Sequence, residues 1–572
     1  MIPLTSCEAA LAEGAPAIHE KGNILSHEHL VRGNAEEVLE NSAFVVTEHY
    51  SVPINEHAFM EPECAIAQPE GEGILLFSAG QSIYDEQREV ARMLGLDKEK
   101  IHVQSKLVGG GFGGKEDMSV QHHASLAAWL LKKPVKVLLS REESLMVHPK
   151  RHGMEMDFTT GCDEEGNLTA MKAVIYADTG AYASLGGPVL QRACTHAAGP
   201  YKYQTIDVEG FAVYTNNPPA GAFRGFGVCQ TAFAIESNLN LLAEKVGLSP
   251  WEIRFKNAVA PGDTLPNGQL VSKNAALKEA LLAVKDVYEQ AEVAGISSFF
   301  KNSGVGVGLP DTGRCIISVE EGKIHVRTSA ACIGQGMATV TTQIACETLN
   351  LPPEMIVAEA PDTRRTPNSG TTTASRQSLF TGEATRRAAM QLRYELDMGR
   401  ALSDLEGEEF YGEYSAKTDP LINDKKSPVS HAGYGYAAEV AILDDKGKVA
   451  KFVAAYDMGQ VVNPRAAEGQ IEGGIAMGMG YALTEKFALE EGYVKAKYAT
   501  LGLVNATQVP PIETILVHAD NLHEGLAYGI KGVGELATIP TAPALAGAYF
   551  ALDGQLRPSL PLENTPYQKK KR

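Results

Sequence analysis

A chain of 572 residues, 44% of them apolar, exceeds one ordinary hydrophobic core and is long enough for two or three domains. Its net charge of -19 at pH 7 argues against nucleic-acid and anionic-membrane partners. No apolar run nears the roughly 18 residues that span a bilayer, and the first residues lack a basic stretch followed by an apolar one, so the expected setting is cytoplasmic.

Residues 1–35 are acidic and Ala-rich, show no strand alternation, and read as the tail of an upstream domain or a linker. Strand-like runs follow at 43–47, 74–77 and 101–108, then a helix over 117–132 and a strand over 135–139. A helix over 230–246 is stopped by Gly247. The next opens with Ser249-Pro250-Trp251-Glu252, which joins an N-cap, a proline at the first helical position and a capping-box glutamate. Pro/Gly signals across 262–303 mark a boundary. The second half repeats strand, glycine loop and helix at 323–328, 334–336 and 337–350. The expected fold class is α+β, or mixed α/β, with one domain over 36–285, a second over 300–560, and a basic tail over 561–572. Eight cysteines stand far apart, with no C-x-x-C pair for zinc or an iron–sulfur cluster.

Five segments stand out: Gly109–Glu116, Ala222–Gly227, Gly334-Gln335-Gly336, Ser369–Ser375 and Lys531–Glu535. Glycine lets backbone N–H groups approach a ligand, and a helix start adds free donors and a positive dipole end, so such segments suit anionic or oxo-bearing groups. Five of them suggest one large polar cofactor enclosed by distant parts of the chain. Two rivals arise at the first segment. Gly109-x-Gly111-x-x-Gly114 fits a dinucleotide fingerprint, and Gly109-x-x-x-x-Gly114-Lys115 is a near-miss phosphate loop. Against both stands Glu116, an acid where a phosphate would sit and where Ser or Thr would hold magnesium.

Glu535 precedes an apolar run, and a carboxylate against a nonpolar wall is raised toward the range of a general base; taken alone, a surface glutamate is the plainer reading. Arg224, between two phenylalanines and two glycines, suits an oxyanion, and a structural ion pair fits equally well. Phe226 could stack on a planar ligand or belong to the core. The His27-Glu28-His29 and His122-His123 groups lack helical zinc spacing and read as structural or solvent-facing.

As a set these segments, in this order, resemble the molybdenum hydroxylases, specifically the molybdopterin-binding portion of xanthine dehydrogenases and aldehyde oxidases. Thr373–Gln377 and Phe380–Glu383 also resemble the selenium-dependent xanthine dehydrogenase branch. The resemblance implies two elongated molybdopterin-binding domains with the upstream hammerhead domain mostly absent. Its cofactor would be molybdenum–molybdopterin, with a cytosine dinucleotide form among the options and a terminal sulfido or selenido ligand. The 2Fe-2S and FAD groups would reside on partners or missing segments, in an oligomer.

Residue by residue, Gln81, Phe112, Gly113, Arg224, Gln335, Ala374, Ser375 and Gln470 match positions around the cofactor, with Gln81, Phe112, Arg224 and Ala374 nearest the molybdenum. Glu535 matches the base of a hydroxylation in which a water-derived oxygen attacks an electron-poor carbon beside a ring nitrogen. Glu116 and Arg192 match the pair that grips a purine such as xanthine or hypoxanthine, and Phe226 would stack on its ring. Two departures bear on the pocket: Cys229 stands where many relatives carry proline, and Leu536 where the animal enzymes do. The remaining alternatives are a hydroxylase of another N-heterocycle or an aldehyde, a Rossmann-type NAD enzyme, and a non-catalytic assembly subunit.

Overall fold

The computed structural model describes residues 2–203, 205–519 and 525–568. The lysines and arginine of the expected basic tail lie outside them. Four sheets of four or five strands, flanked by helices, make a mixed α/β fold. Among the described residues no helix is long and apolar enough to cross a membrane.

The first half carries two sheets. The larger runs in the order Ile24–Arg32, Thr205–Tyr214, Leu168–Gly180, Gly153–Cys162, Phe44–Val52, with only the second and third strands parallel to each other. Its first strand corrects the expectation that residues 1–35 hold none. Alternation exists there, but between polar residues: Ser26, Glu28 and Leu30 share one face, while His27 and His29 on the other reach Glu209 and Asp207 across the sheet at 2.9 and 2.8 Å. A period of two without hydrophobic contrast leaves no signal in the sequence.

The smaller sheet has the order Ile101–Ser105, Gly73–Ser78, Cys64–Glu70, Val135–Leu138. Ile101–Ser105 ends three residues before the expected strand does, because Ser105 donates its N–H to Pro361 O (2.9 Å) in the second half. That crossing sets the first glycine segment beside the loops of the second half. The helix expected over 117–132 is Gln121–Leu131. Its start is fixed by the Gln121 side chain, whose Oε1 accepts from the N–H groups of Ser119 and Val120 at 3.1 Å. The capping box forms as expected, Ser249 and Glu252 bonding reciprocally at 3.1 and 2.7 Å.

The second half holds the sheets Ala294–Ser303, Gly433–Leu443, Val449–Asp457, Ile512–Val517 and Ile356–Ala358, Lys323–Arg327, Asp311–Glu320, Glu409–Ala416, each in that order. The helix Thr541–Asp553 lies so close on the first of these that a Cβ at Gly295 would sit 2.1 Å from Ala544 O. One hydrophobic cluster spans both halves, from Val46 through the helix Val228–Val246 to Tyr436 and Leu545. Inside it, Glu236 accepts from Arg254 Nε (2.8 Å) and from Ser298 N–H (2.9 Å), so a fully buried charge ties the two halves together.

Candidate functional site

All five segments converge on one cavity of about 470 Å³. The sequence-predicted residues Gln81, Phe112, Gly113, Glu116, Arg224, Phe226, Gln335, Ala374, Ser375, Gln470 and Glu535 all line it. Arg192 does not.

Gln81 follows the strand Gly73–Ser78 and is 1% exposed. Its Oε1 accepts from Gly113 N–H at 3.1 Å, while its Nε2 donates to Thr372 O at 2.7 Å, so one side chain joins the first and fourth segments. Gly111 makes this possible, since a Cβ there would come within 2.6 Å of Gln81 Oε1. The chain then turns through Phe112 (φ 54°) and Gly113 (φ 104°) rather than entering a helix. Lys115 leaves the cavity to pair with Glu61 at 3.1 Å, and the helix begins only at Gln121. Neither a phosphate loop nor a dinucleotide fingerprint has this geometry, because both need the helix N-terminus directly after the glycines.

Gly225, Phe226 and Gly227 all adopt positive φ (99°, 51° and 88°), a tight bend that exposes the Phe226 ring. Arg224 is anchored on three sides: its N–H donates to Phe112 O (2.8 Å), its Nε to Gly534 O, and its Nη2 to Gln470 O (2.9 Å). Burial pushes its guanidinium down to about 10, which leaves it cationic at neutral pH. The Arg151 guanidinium packs over the Phe223 ring and donates to Arg224 O at 3.0 Å, supporting the loop from behind.

Ala374 and Ser375 hold successive left-handed conformations (φ 48° and 49°), costly for residues with a side chain. The strain places the Ser375 hydroxyl on Glu535, donating to Oε2 at 3.2 Å and accepting from the Glu535 N–H at 3.0 Å. Gln335 folds back on its own loop, accepting from Ile333 N–H at 2.7 Å and donating to Ala331 O at 3.1 Å.

The electrostatics divide the cavity. Burial raises the Glu116 carboxyl well above the usual range, against a hydroxyl contact from Thr373 that favours its charged form. Glu535, 8% exposed, instead meets the ammonium of Lys301 at 3.5 Å. Arg192 sits behind this wall. Its guanidinium donates to Val305 O and to Gln191 Oε1 (3.0 Å), and burial pushes it down to about 10 with the charge of Glu535 opposing. A buried guanidinium needs saturated donors, and the backbone of residue 305 supplies an acceptor that the sequence does not announce. Of the pair expected of Glu116 and Arg192, Glu116 lines the cavity, and Arg192 lies outside its lining but near enough to Glu535 to feel its charge. Lys301 escaped the sequence reading, although a lone lysine after the otherwise apolar and small run Ile296–Phe300 was a usable signal.

The cavity fits a large, oxo- and phosphate-bearing group. The N-termini of three helices, Met337–Leu349, Gln377–Asp397 and Pro464–Leu483, face it through Met337, Gln377 and Asn463. The first two lack side-chain caps, leaving backbone donors and a positive dipole end for a ligand. Gly334 and Gly336 face open space where a Cβ would meet nothing within 4 Å.

A family model described as the molybdopterin cofactor-binding domain matches residues 18–258, and a second of the same description matches 272–410 and 400–510. A probable xanthine dehydrogenase subunit of Bacillus subtilis is 34% identical over an alignment of 591 positions, which covers 95% of this chain and 79% of that protein. The nicotinate dehydrogenase large molybdopterin subunit of Eubacterium barkeri is 40% identical over 289 residues, 50% of this chain and 68% of that one. Among solved structures, the aldehyde oxidoreductase of Desulfovibrio gigas superimposes with a TM-score of 0.90 at 27% identity over 98% of this chain; the match spans 65% of that longer chain.

Proposed function

The chain belongs to the molybdenum hydroxylase family, and from that premise we propose that it is the catalytic portion of a hydroxylase that oxidises a purine, xanthine or hypoxanthine, at a carbon beside a ring nitrogen. The observation that carries this reading is the pairing, in one cavity, of Glu116 with a Glu535 held against Ser375 and Lys301. Molybdenum–molybdopterin, when bound, supplies the two-electron redox chemistry. Gln335, Gln470 and the three helix N-termini would hold its pterin and phosphate, while Gln81, the backbone at Phe112 and Gly113, Arg224 and Ala374 would face its metal end.

The protein's own part follows from these positions. Glu116 presents its carboxyl to the N–H and C=O edge of the ring, where charge builds during attack. Phe226 offers its face for stacking. Ser375 and Lys301 both engage Oε2 of Glu535, so proton acceptance falls to Oε1. Arg192 adds positive charge behind the wall rather than a direct grip. 2Fe-2S and FAD groups on partner subunits or further segments would supply the path for the electrons. Relatedness to a nicotinate dehydrogenase subunit over half the chain favours one second reading, a different N-heterocycle.

The test is to purify the chain with its neighbouring subunits, measure molybdenum and selenium, and assay xanthine, hypoxanthine, nicotinate and an aldehyde with an artificial acceptor. Near-stoichiometric molybdenum with urate formation supports the purine. Turnover of nicotinate alone moves the substrate, and folded protein that never retains molybdenum overturns the reading.

A further inference from the structure

We propose that Lys301 is a positioning residue for Glu535: its ammonium, at the end of a buried strand, holds that carboxylate in place. The inference rests on the reading of Glu535 as the base.

Every residue of the strand Ala294–Ser303 is buried, and Lys301 is 1% exposed. A lysine at such a position is costly unless its charge is paired. Its Nζ donates to Asn302 Oδ1 and lies 3.5 Å from Glu535 Oε2, and it does not line the cavity. The same strand end organises the base in two further ways. Ser303 Oγ accepts from Gly532 N–H at 2.8 Å, and Gly304 donates to Ala374 O at 3.0 Å. Residues 301–304 thus grip both loops whose meeting forms the Ser375–Glu535 contact, and Lys301 adds the charge.

The groups facing Lys301 leave Glu535 as its anionic partner. Arg192 and His196 approach from the helix Gly186–His196, His431 from the loop before the strand Gly433–Leu443, and Cys229 from the helix Val228–Val246. Burial keeps both imidazoles neutral and the Cys229 thiol protonated, while Arg192 is a second cation. Burial also pushes Lys301 down to about 8, the charge of Glu535 opposing that fall. Without the ammonium, Glu535 would keep Ser375 and lose its adjacent counter-charge.

Two measurements on the metal-loaded complex test this. In Lys301→Met kcat should fall roughly tenfold with KM little changed and molybdenum content retained, as for a base that loses the contact that orients it. Lys301→Arg should restore most of kcat. A merely structural lysine would lower the yield of folded, molybdenum-loaded protein and leave kcat per molybdenum unchanged, which would overturn the proposal. Independently of turnover, thermal midpoints of Lys301→Met, Glu535→Gln and the double variant should be non-additive, the double no less stable than either single variant, because it leaves neither buried charge unpaired. Additive losses would also overturn it. If the wild-type complex carries molybdenum but turns over neither heterocycle nor aldehyde, the proposed function fails by itself, and the thermal cycle still decides the pair.

Discussion

Ser375 and Glu535 exchange two hydrogen bonds across 160 residues of sequence: the serine hydroxyl donates to Oε2 at 3.2 Å and accepts from the glutamate's own N–H at 3.0 Å. The carboxylate is thereby fixed relative to its own backbone, and the loop that carries it cannot rotate without breaking both bonds. Replacing Ser375 with alanine removes a hydrogen bond to a charged group, worth about 1.5–3 kcal/mol, so kcat should fall roughly 10- to 100-fold. Steady-state kinetics at saturating substrate reads this; unchanged kcat would separate the serine from the chemistry.

Glu535→Gln keeps the shape of the site and removes its proton acceptor. The expected loss in kcat/KM is on the order of 10²–10⁴, with molybdenum content retained. A variant with near wild-type turnover would require another base.

Glu116 lines the cavity with a carboxyl that can hydrogen-bond a ring, and so glutamine and valine should differ there. Glu116→Gln keeps hydrogen-bonding groups of the same shape and should cost about tenfold or less in purine kcat/KM, whereas Glu116→Val leaves the substrate edge unpaired and should cost roughly 100-fold or more. Equal losses in the two variants would mean that no hydrogen bond from this position discriminates the substrate.

Gly111→Ala forces a Cβ to 2.6 Å from Gln81 Oε1 and should break the bridge between the first and fourth segments. Molybdenum per chain should fall while the fold survives, since the bridge lies at the cavity rather than in the main core. Elemental analysis beside a circular dichroism spectrum checks both halves of the statement.

Three buried carboxyls away from the base give the chain a pH-dependent stability. Burial pushes Glu86 and Glu485 up to about 7 and Glu439 up to about 8, and Glu86 Oε2 and Glu439 Oε1 have no hydrogen-bond partner. Each is protonated in the fold at pH 6 and ionised in the unfolded chain. The fold therefore binds the extra protons, and this contribution to stability is lost as pH rises from about 5 to 8. Glu439→Gln should gain on the wild type across that window by on the order of a few kcal/mol, followed by thermal midpoints at pH 5, 7 and 9. A gap that stays constant with pH would contradict the assignment.

The glycine segments were legible because each carries its own local signal. Positive φ and close backbone approach demand residue types that spacing alone reveals, as at Gly111 and Gly113. Positions whose role depends on what packs behind them were not legible in that way. Arg192 pairs with a backbone carbonyl 113 residues away, and Lys301 with a carboxylate more than 230 residues away, so neither partner can be read from the neighbouring sequence. The strand Ile24–Arg32 was hidden for a different reason, since its outward face is built from histidines bonded to acids of the next strand.

The hydrophobic cluster that runs unbroken from Val46 to Leu545, with Glu236 and Arg254 sealed inside it, makes the two halves mutually dependent. A nick at the exposed turn Pro261-Gly262 would sever the polypeptide while Val259, Leu265 and Val271 on either side of it stay packed in that shared interior. The two fragments would then behave as tightly bound subunits, and the cavity between their loops would outlast the loss of the covalent link.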